Sequence, residues 1–148
     1  MATIFKTHHS RFAHPFKETH VPLPMTRIIL YVQDVASLKS FYQQYFDLPV
    51  VEEIENEWVV LGAGAIELAL HLAGPAFRHA VPADTEARAE TSHVKFVFSI
   101  GQDIGTHRDR LAGNGVTVRD LKRYDGFAYT MYDGIDPEGN VFQVMQAD

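Results

Sequence analysis

The pattern of apolar and polar positions divides the chain into two similar halves. Residues 27–33, RIILYVQ, alternate with period two: Ile28, Leu30 and Val32 fall on one face, Arg27, Ile29 and Tyr31 on the other. Residues 91–99, TSHVKFVFS, repeat the layout, with Val94, Phe96 and Phe98 on one face and His93, Lys95, Val97 and Ser99 on the other. In each half the apolar set is expected to pack on a helix and the other set to face a cavity. A helical pattern follows each strand. Asp34 is placed to cap the first helix, and Val35, Leu38, Phe41, Tyr42, Tyr45 and Phe46 form one stripe at helical spacing. Core packing is the reading of that stripe. Asp47-Leu48-Pro49 stops it, because a residue before proline is pushed out of the helical region. The second helix is expected from near Asp103 to Ala112, with Ile104, His107, Arg108 and Leu111 as its contacts, and Gly113-Asn114-Gly115 as its stop.

Shorter β-prone runs complete each half. They lie at residues 50–54, 57–61 and 66–72, and at 116–118, 127–132 and 141–146. Asp136-Pro137-Glu138-Gly139-Asn140 reads as a tight turn before the last strand. The predicted order is βαβββ, linker, βαβββ, a repeat of supersecondary units within one α+β chain. The modules span residues 27–73 and 92–148, and the Pro- and Ala-rich linker spans 74–91. Pairing of strands across the modules is expected to build one curved mixed sheet with a cleft inside. Residues 1–26 lack a sustained period and read as an N-terminal arm. The arm carries His8, His9 and His14, whose spacing fits no metal-ligand pattern.

Composition narrows the class of function. The 148 residues are 46% apolar, enough for a real core. A formal net charge of −6 argues against a general role on nucleic acid or an anionic membrane, and favours a cationic small ligand. With no cysteine, disulfides and thiolate metal sites are excluded. No apolar run approaches a spanning helix, and no signal-peptide pattern opens the sequence, so a cytoplasmic location is the expectation.

Two positions carry candidate chemistry. Glu67 sits in an apolar strand, on a face with Ala69 and His71. It is either an end-of-strand carboxylate in water or one aimed into a cavity. His93 stands at the mouth of the second module's first strand, as a ligand-facing group or as a hydrogen-bonded strand-end histidine. In the linker, Phe77 and Arg78 either close over a site or belong to a plain surface connection.

The strand followed by D-x-x-S-L-x-x-F-Y at residues 34–42, the SHVKFVFS strand, the D-R-L-A-G-N-G-V helix exit and D-P-E-G-N-V-F-Q together resemble the vicinal-oxygen-chelate superfamily. That superfamily contains glyoxalase I, bleomycin- and fosfomycin-resistance proteins and extradiol dioxygenases. The resemblance covers about residues 27–146. It implies the paired-module fold and leaves the reaction open, because one fold hosts several chemistries. In metal-dependent members the four ligand positions fall on Arg27, Glu67, His93 and Gln143 of this sequence. Glu67 and His93 match the family pattern; Arg27 and Gln143 depart from it. A guanidinium has no lone pair to give and cannot ligate a metal, and Gln143 offers only a neutral carbonyl oxygen. Arg27 is therefore expected to replace the charge of a metal and to pair with Glu67.

The resulting expectation is a metal-free, small-molecule-binding protein of the glyoxalase/bleomycin-resistance type. Its ligand would meet Arg27, Tyr31, Trp58, Glu67, His93, Phe127, Tyr129 and Gln143. The alternative is a metal-dependent glyoxalase-like lyase, isomerase or dioxygenase holding one divalent ion on Glu67, His93 and Gln143. A metal-free enzyme with Glu67 or His93 as general base is a third. The resemblance also implies a homodimer, since relatives complete their clefts with a second module.

Overall fold

The computed structural model describes residues 21–79 and 84–148. Most of the N-terminal arm, including the His8, His9 and His14 group, lies outside the described residues. Residues 21–26 form no regular element and are exposed.

The first module is strand β1 (Arg27–Val32), helix α1 (Val35–Phe46) and strands β2 (Val50–Ile54), β3 (Trp58–Ala63) and β4 (Ile66–Leu72). They form a four-stranded sheet in the order β1-β4-β3-β2. Strand β1 runs parallel to β4, with Arg27 opposite Glu67 and Tyr31 opposite His71; the other pairs are antiparallel. Asp34 caps α1 by accepting a hydrogen bond from the Ser37 amide at 3.0 Å. Asp47 ends the helix in the left-handed region at φ 53° and returns its amide to Gln43 O. Every member of the predicted stripe except the half-buried Phe46 is buried.

The second module repeats the plan with β5 (Lys95–Ser99), α3 (Ile104–Gly113), β6 (Tyr129–Ile135) and β7 (Val141–Ala147). Its sheet has the order β5-β7-β6, with β5 parallel to β7. The run at 116–118 is not a full strand. It and the residues after it contribute only the bridges Val118↔Gly134 and Lys122↔Met131. Three β-prone residues followed by Arg119, Asp120, Lys122 and Arg123 cannot bury a continuous face. Strand β5 begins two residues after His93. The strands form two separate mixed sheets, four- and three-stranded, rather than one continuous sheet. The linker is also more structured than its composition suggests. It holds a helical turn at Pro75–Phe77 and a short helix α2 (Thr85–Glu90).

One apolar core joins the modules. Phe41 and Phe46 of α1 meet Phe142 of β7 at ring-centroid distances of 5.8 and 5.1 Å, and Phe46 stacks on Phe98 at 4.3 Å. Gly134 is required under this cluster, because a Cβ there would lie 2.1 Å from Phe142 Cζ. Polar ties cross the same boundary. Asp136 accepts from Tyr42 OH at 2.8 Å. Glu138 accepts from the Gln33 amide at 2.8 Å and the Asp34 amide at 3.0 Å, fastening the β6–β7 turn to the junction of β1 and α1. His107 on α3 lies 2.7 Å from the Tyr45 carbonyl at the end of α1 and 2.7 Å from Tyr132 OH.

Candidate functional site

The helices cover one face of each sheet and leave the other open. On the open face of the first sheet the register aligns Tyr31, His71 and Trp58 on three neighbouring strands. Tyr31 and His71 have ring centroids 5.2 Å apart, and His71 meets Trp58 edge-on at 5.5 Å. Arg27 is the hub of this face. Its Nη2 lies 3.2 Å from Glu67 Oε1 and 3.4 Å from Glu52 Oε1, and its Cζ stands 5.6 Å from the Trp58 ring centroid. Trp58 Nε1 donates to Glu52 Oε2 at 3.3 Å, closing the circuit. Val60 and Ala69 share this face by alternation, lie outside the apolar core cluster, and are nonetheless fully buried. Tyr31 remains 67% exposed and Ile29 48%, so much of the platform is open to a ligand or partner.

The Arg27–Glu67 contact expected from the sequence is present, but its setting is milder than a buried pair. The two side chains are 29% and 31% exposed. Breaking it therefore costs about 1 kcal/mol rather than the several a fully buried pair would.

The second sheet offers a matching face. Lys95 Nζ lies 2.8 Å from Asp133 Oδ2, and Gln143 Nε2 donates to Asp133 Oδ1 at 3.0 Å. These three line a cavity of about 240 Å³ with Lys122, Tyr124 and Met131. Tyr129 lies on this face by alternation. Phe127 precedes the strand, is 55% exposed, and has its ring centroid 5.7 Å from that of Tyr129. Lys95 also lines a second cavity of about 280 Å³ with Glu67, Ile28, Ile66 and Val97, where the two modules meet.

His93 does not join this group. It is exposed in the bend before β5, beside Glu138, Gly139 and Asn140. The register explains the separation. Gln143 stands opposite Val97, four residues beyond His93, which is about 13 Å along a strand. Lys95 takes the place nearest Asp133 and Gln143 instead. Of the residues singled out from the sequence, Arg27, Tyr31, Trp58 and Glu67 share one face, Gln143 and Tyr129 share the other, and His93 stands apart.

This donor set does not fit a divalent metal. Arg27 brings a fixed positive charge to Glu67, Lys95 brings another to Asp133, and the Gln143 amide is turned to donate. Among the described residues, no three His, Asp or Glu side chains are grouped to hold an ion.

A larger opening lies at the far end of the first sheet. It encloses about 830 Å³ and is lined by Tyr31, His71, Phe77, Arg78, His79 and Arg88, among others. The Gln33 side chain pins the loop that forms its wall. Its Nε2 donates to Phe77 O at 3.2 Å and its Oε1 accepts from the His79 amide at 2.8 Å. Phe77 is thereby held 75% exposed. Arg88 is out of reach of sequence reasoning, since it sits in the linker. Its Nη1 is shielded from solvent with no hydrogen-bond partner among the described residues, a state that typically costs about 1–3 kcal/mol.

The buried carboxylates hold structure. Burial pushes Asp136 above the usual carboxylate range, against the opposing hydrogen bonds from Asn140 and Tyr42. Burial likewise raises Glu138, against the amides of Gln33 and Asp34. The D-P-E-G-N motif read as a turn thus also carries the tie between modules, and its two acids in five residues were the available signal.

The model of the Glyoxalase/Bleomycin resistance protein/Dioxygenase superfamily matches residues 25–144. Similar solved structures include a lactoylglutathione lyase from Agrobacterium tumefaciens, 20% identical, covering 84% of this chain and 94% of that one at a TM-score of 0.62. An antibiotic-binding protein from a Streptomyces species is 18% identical over 87% of this chain and 100% of that one, at 0.63. A genomically encoded fosfomycin resistance protein from Listeria monocytogenes is 12% identical over 87% and 95%, at 0.61. No curated protein matches by sequence. At these identities the structural likeness establishes the fold alone. No helix among the described residues is long and apolar enough to cross a membrane. The family match over most of the chain and the repeated strand-helix-strands plan of the two modules agree: the chain belongs to the glyoxalase/bleomycin-resistance/dioxygenase superfamily.

Proposed function

We propose that this protein binds a small, flat organic molecule on the open face of its first sheet and works without a catalytic metal. The observation that carries the reading is the position of Arg27, set among Glu67, Glu52 and Trp58 on the strand pair that bears ligand positions in metal-dependent relatives. A guanidinium there supplies fixed charge and directional donors, and the Tyr31, His71 and Trp58 rings supply a stacking surface. The fold is one that an antibiotic-binding protein also uses.

The protein is further proposed to act as a homodimer. Ile29, Tyr31, Ile54 and Val97 are each about half exposed or more. A second copy laid against these faces would bury them and close the cleft around the ligand.

Two measurements test this. Metal analysis of protein purified without a His-tag should give no stoichiometric divalent ion, while Arg27→His, which adds a donor beside Glu67, should bind one measurably. Stoichiometric Zn, Ni, Mn or Fe in the parent would reject the account in favour of the lyase, isomerase or dioxygenase alternative. The chain has one tryptophan, so planar compounds that bind the platform should quench Trp58 fluorescence. No response across a panel of planar heteroaromatic compounds would count against the binding reading.

A further inference from the structure

The net charge of the chain suggests a cationic ligand, but the opening beside Phe77 carries the opposite character. Among the described residues, its lining includes two guanidiniums, Arg78 and Arg88, and two imidazoles, His71 and His79, and no carboxylate. On a chain of net charge −6 this is a local reversal of sign. Among the described residues neither arginine is paired with an acid. Arg78 spends its Nε on the Ala73 carbonyl at 2.8 Å. Arg88 lies close enough to Glu138 for its charge to act on that acid. Glu138, however, directs its oxygens to the amides of Gln33 and Asp34. Among the described residues, the shielded Nη1 of Arg88 has no hydrogen-bond partner.

Aromatic rings contribute to the rest of the wall. Tyr31 and His71 stack against each other on one side. Phe77 stands out from the other, held by the two Gln33 hydrogen bonds. Because the loop backbone is already pinned, only the ring itself has freedom to lose when a flat molecule settles on it. The opening, about 830 Å³, is within the range of small-molecule sites.

We propose that this opening is the recognition site for an organic anion: an aromatic body seated against Phe77, Tyr31 and His71, with its carboxylate or equivalent acid group met by Arg88. The assignment rests on the small-molecule reading above and specifies its ligand class. It also extends the ligand's reach from the Arg27 platform, since Tyr31 and His71 belong to both. Arginine suits the role because its planar fork can hold a carboxylate with two parallel hydrogen bonds.

The test uses three probes of one shape: 2-naphthoate, neutral 2-naphthamide and cationic 2-naphthylmethylammonium, each titrated calorimetrically into the full chain. The naphthoate should bind tightest. Arg88→Met should weaken it by about tenfold or more and leave the naphthamide unchanged, and Arg88→Lys should restore part of the preference. Phe77 is exposed, so Phe77→Ala should fold normally and weaken naphthoate and naphthamide alike. That variant keeps the assignment testable if Arg88→Met does not fold. Equal binding of the three probes, a preference for the cation, or an anion preference that survives Arg88→Met would overturn the anion assignment and leave small-molecule binding standing. Failure of all three to bind would overturn the site itself. The broader reading would still be judged by the Trp58 response to neutral planar compounds.

Discussion

Glu138 decides whether the two modules stay in register, and its removal has a calculable cost. Its carboxylate accepts the Gln33 amide at 2.8 and 3.1 Å and the Asp34 amide at 3.0 Å, from a residue that is 3% exposed. Glu138→Ala orphans both amides at the junction where β1 becomes α1. Each unpaired buried donor costs about 1–3 kcal/mol. Water can enter from the neighbouring opening beside His93 and Asn140, which limits the total to about 2–4 kcal/mol. Glu138→Gln should cost less, about 1–2 kcal/mol, because its NH2 group replaces one of the two accepting oxygens and leaves one of the two amides without a good acceptor. Its carbonyl oxygen still accepts from the other, and the variant is relieved of burying a charge, a burden evident in the raised pKa of Glu138. Urea unfolding reads the difference. With a slope of about 1–3 kcal/mol/M, Glu138→Ala should lower the midpoint by roughly 1–2 M. A loss under about 0.5 kcal/mol in Glu138→Ala would refute the tie. Equal damage from both substitutions would show that the single acceptor kept by glutamine does not hold the junction by itself.

Two further outcomes follow from the same geometry. The folded state raises Asp136 and Glu138, so it binds more protons than the unfolded chain between the ordinary carboxylate range near 4 and the raised values. Their contribution to stability is therefore full below the ordinary carboxylate range near 4 and lost as pH rises through the raised values; the urea midpoint should carry a contribution from these two acids that falls as pH rises from about 4, and that contribution should be smaller in Glu138→Gln. A flat contribution, or one that rises with pH over that window, would contradict the burial argument. Sedimentation should give a dimer at micromolar concentration, and substituting the half-exposed Ile29 and Val97 with lysine should shift it to monomer; a monomeric parent would remove the proposed second copy.

Local chemistry determined much of this protein. Period-two alternation at residues 27–32 and the helical stripe from Val35 to Phe46 each bury an apolar face, and their positions follow from spacing alone. Strand β4 falls where its apolar run does, and Asp34 and Asp103 cap their helices by bonding amides three residues on. The meeting of Arg27 with Glu67 was also legible, because a family-type strand pair brings first and last strands of a module together. Tertiary structure decided what depends on register and on contacts between distant segments. A parallel pairing of β5 with β7 sets Gln143 opposite Val97, and this leaves His93 outside while drawing Lys95 and Asp133 in. Period-two alternation fixes which face a side chain takes, but not where along the neighbouring strand it lands. In the same way, linker composition could not announce that Arg88 would line the same opening as Phe77 with its Nη1 unpartnered among the described residues, or that Glu138 would cap a junction 105 residues away. Such long-range polar contacts depend on packing that no local period encodes.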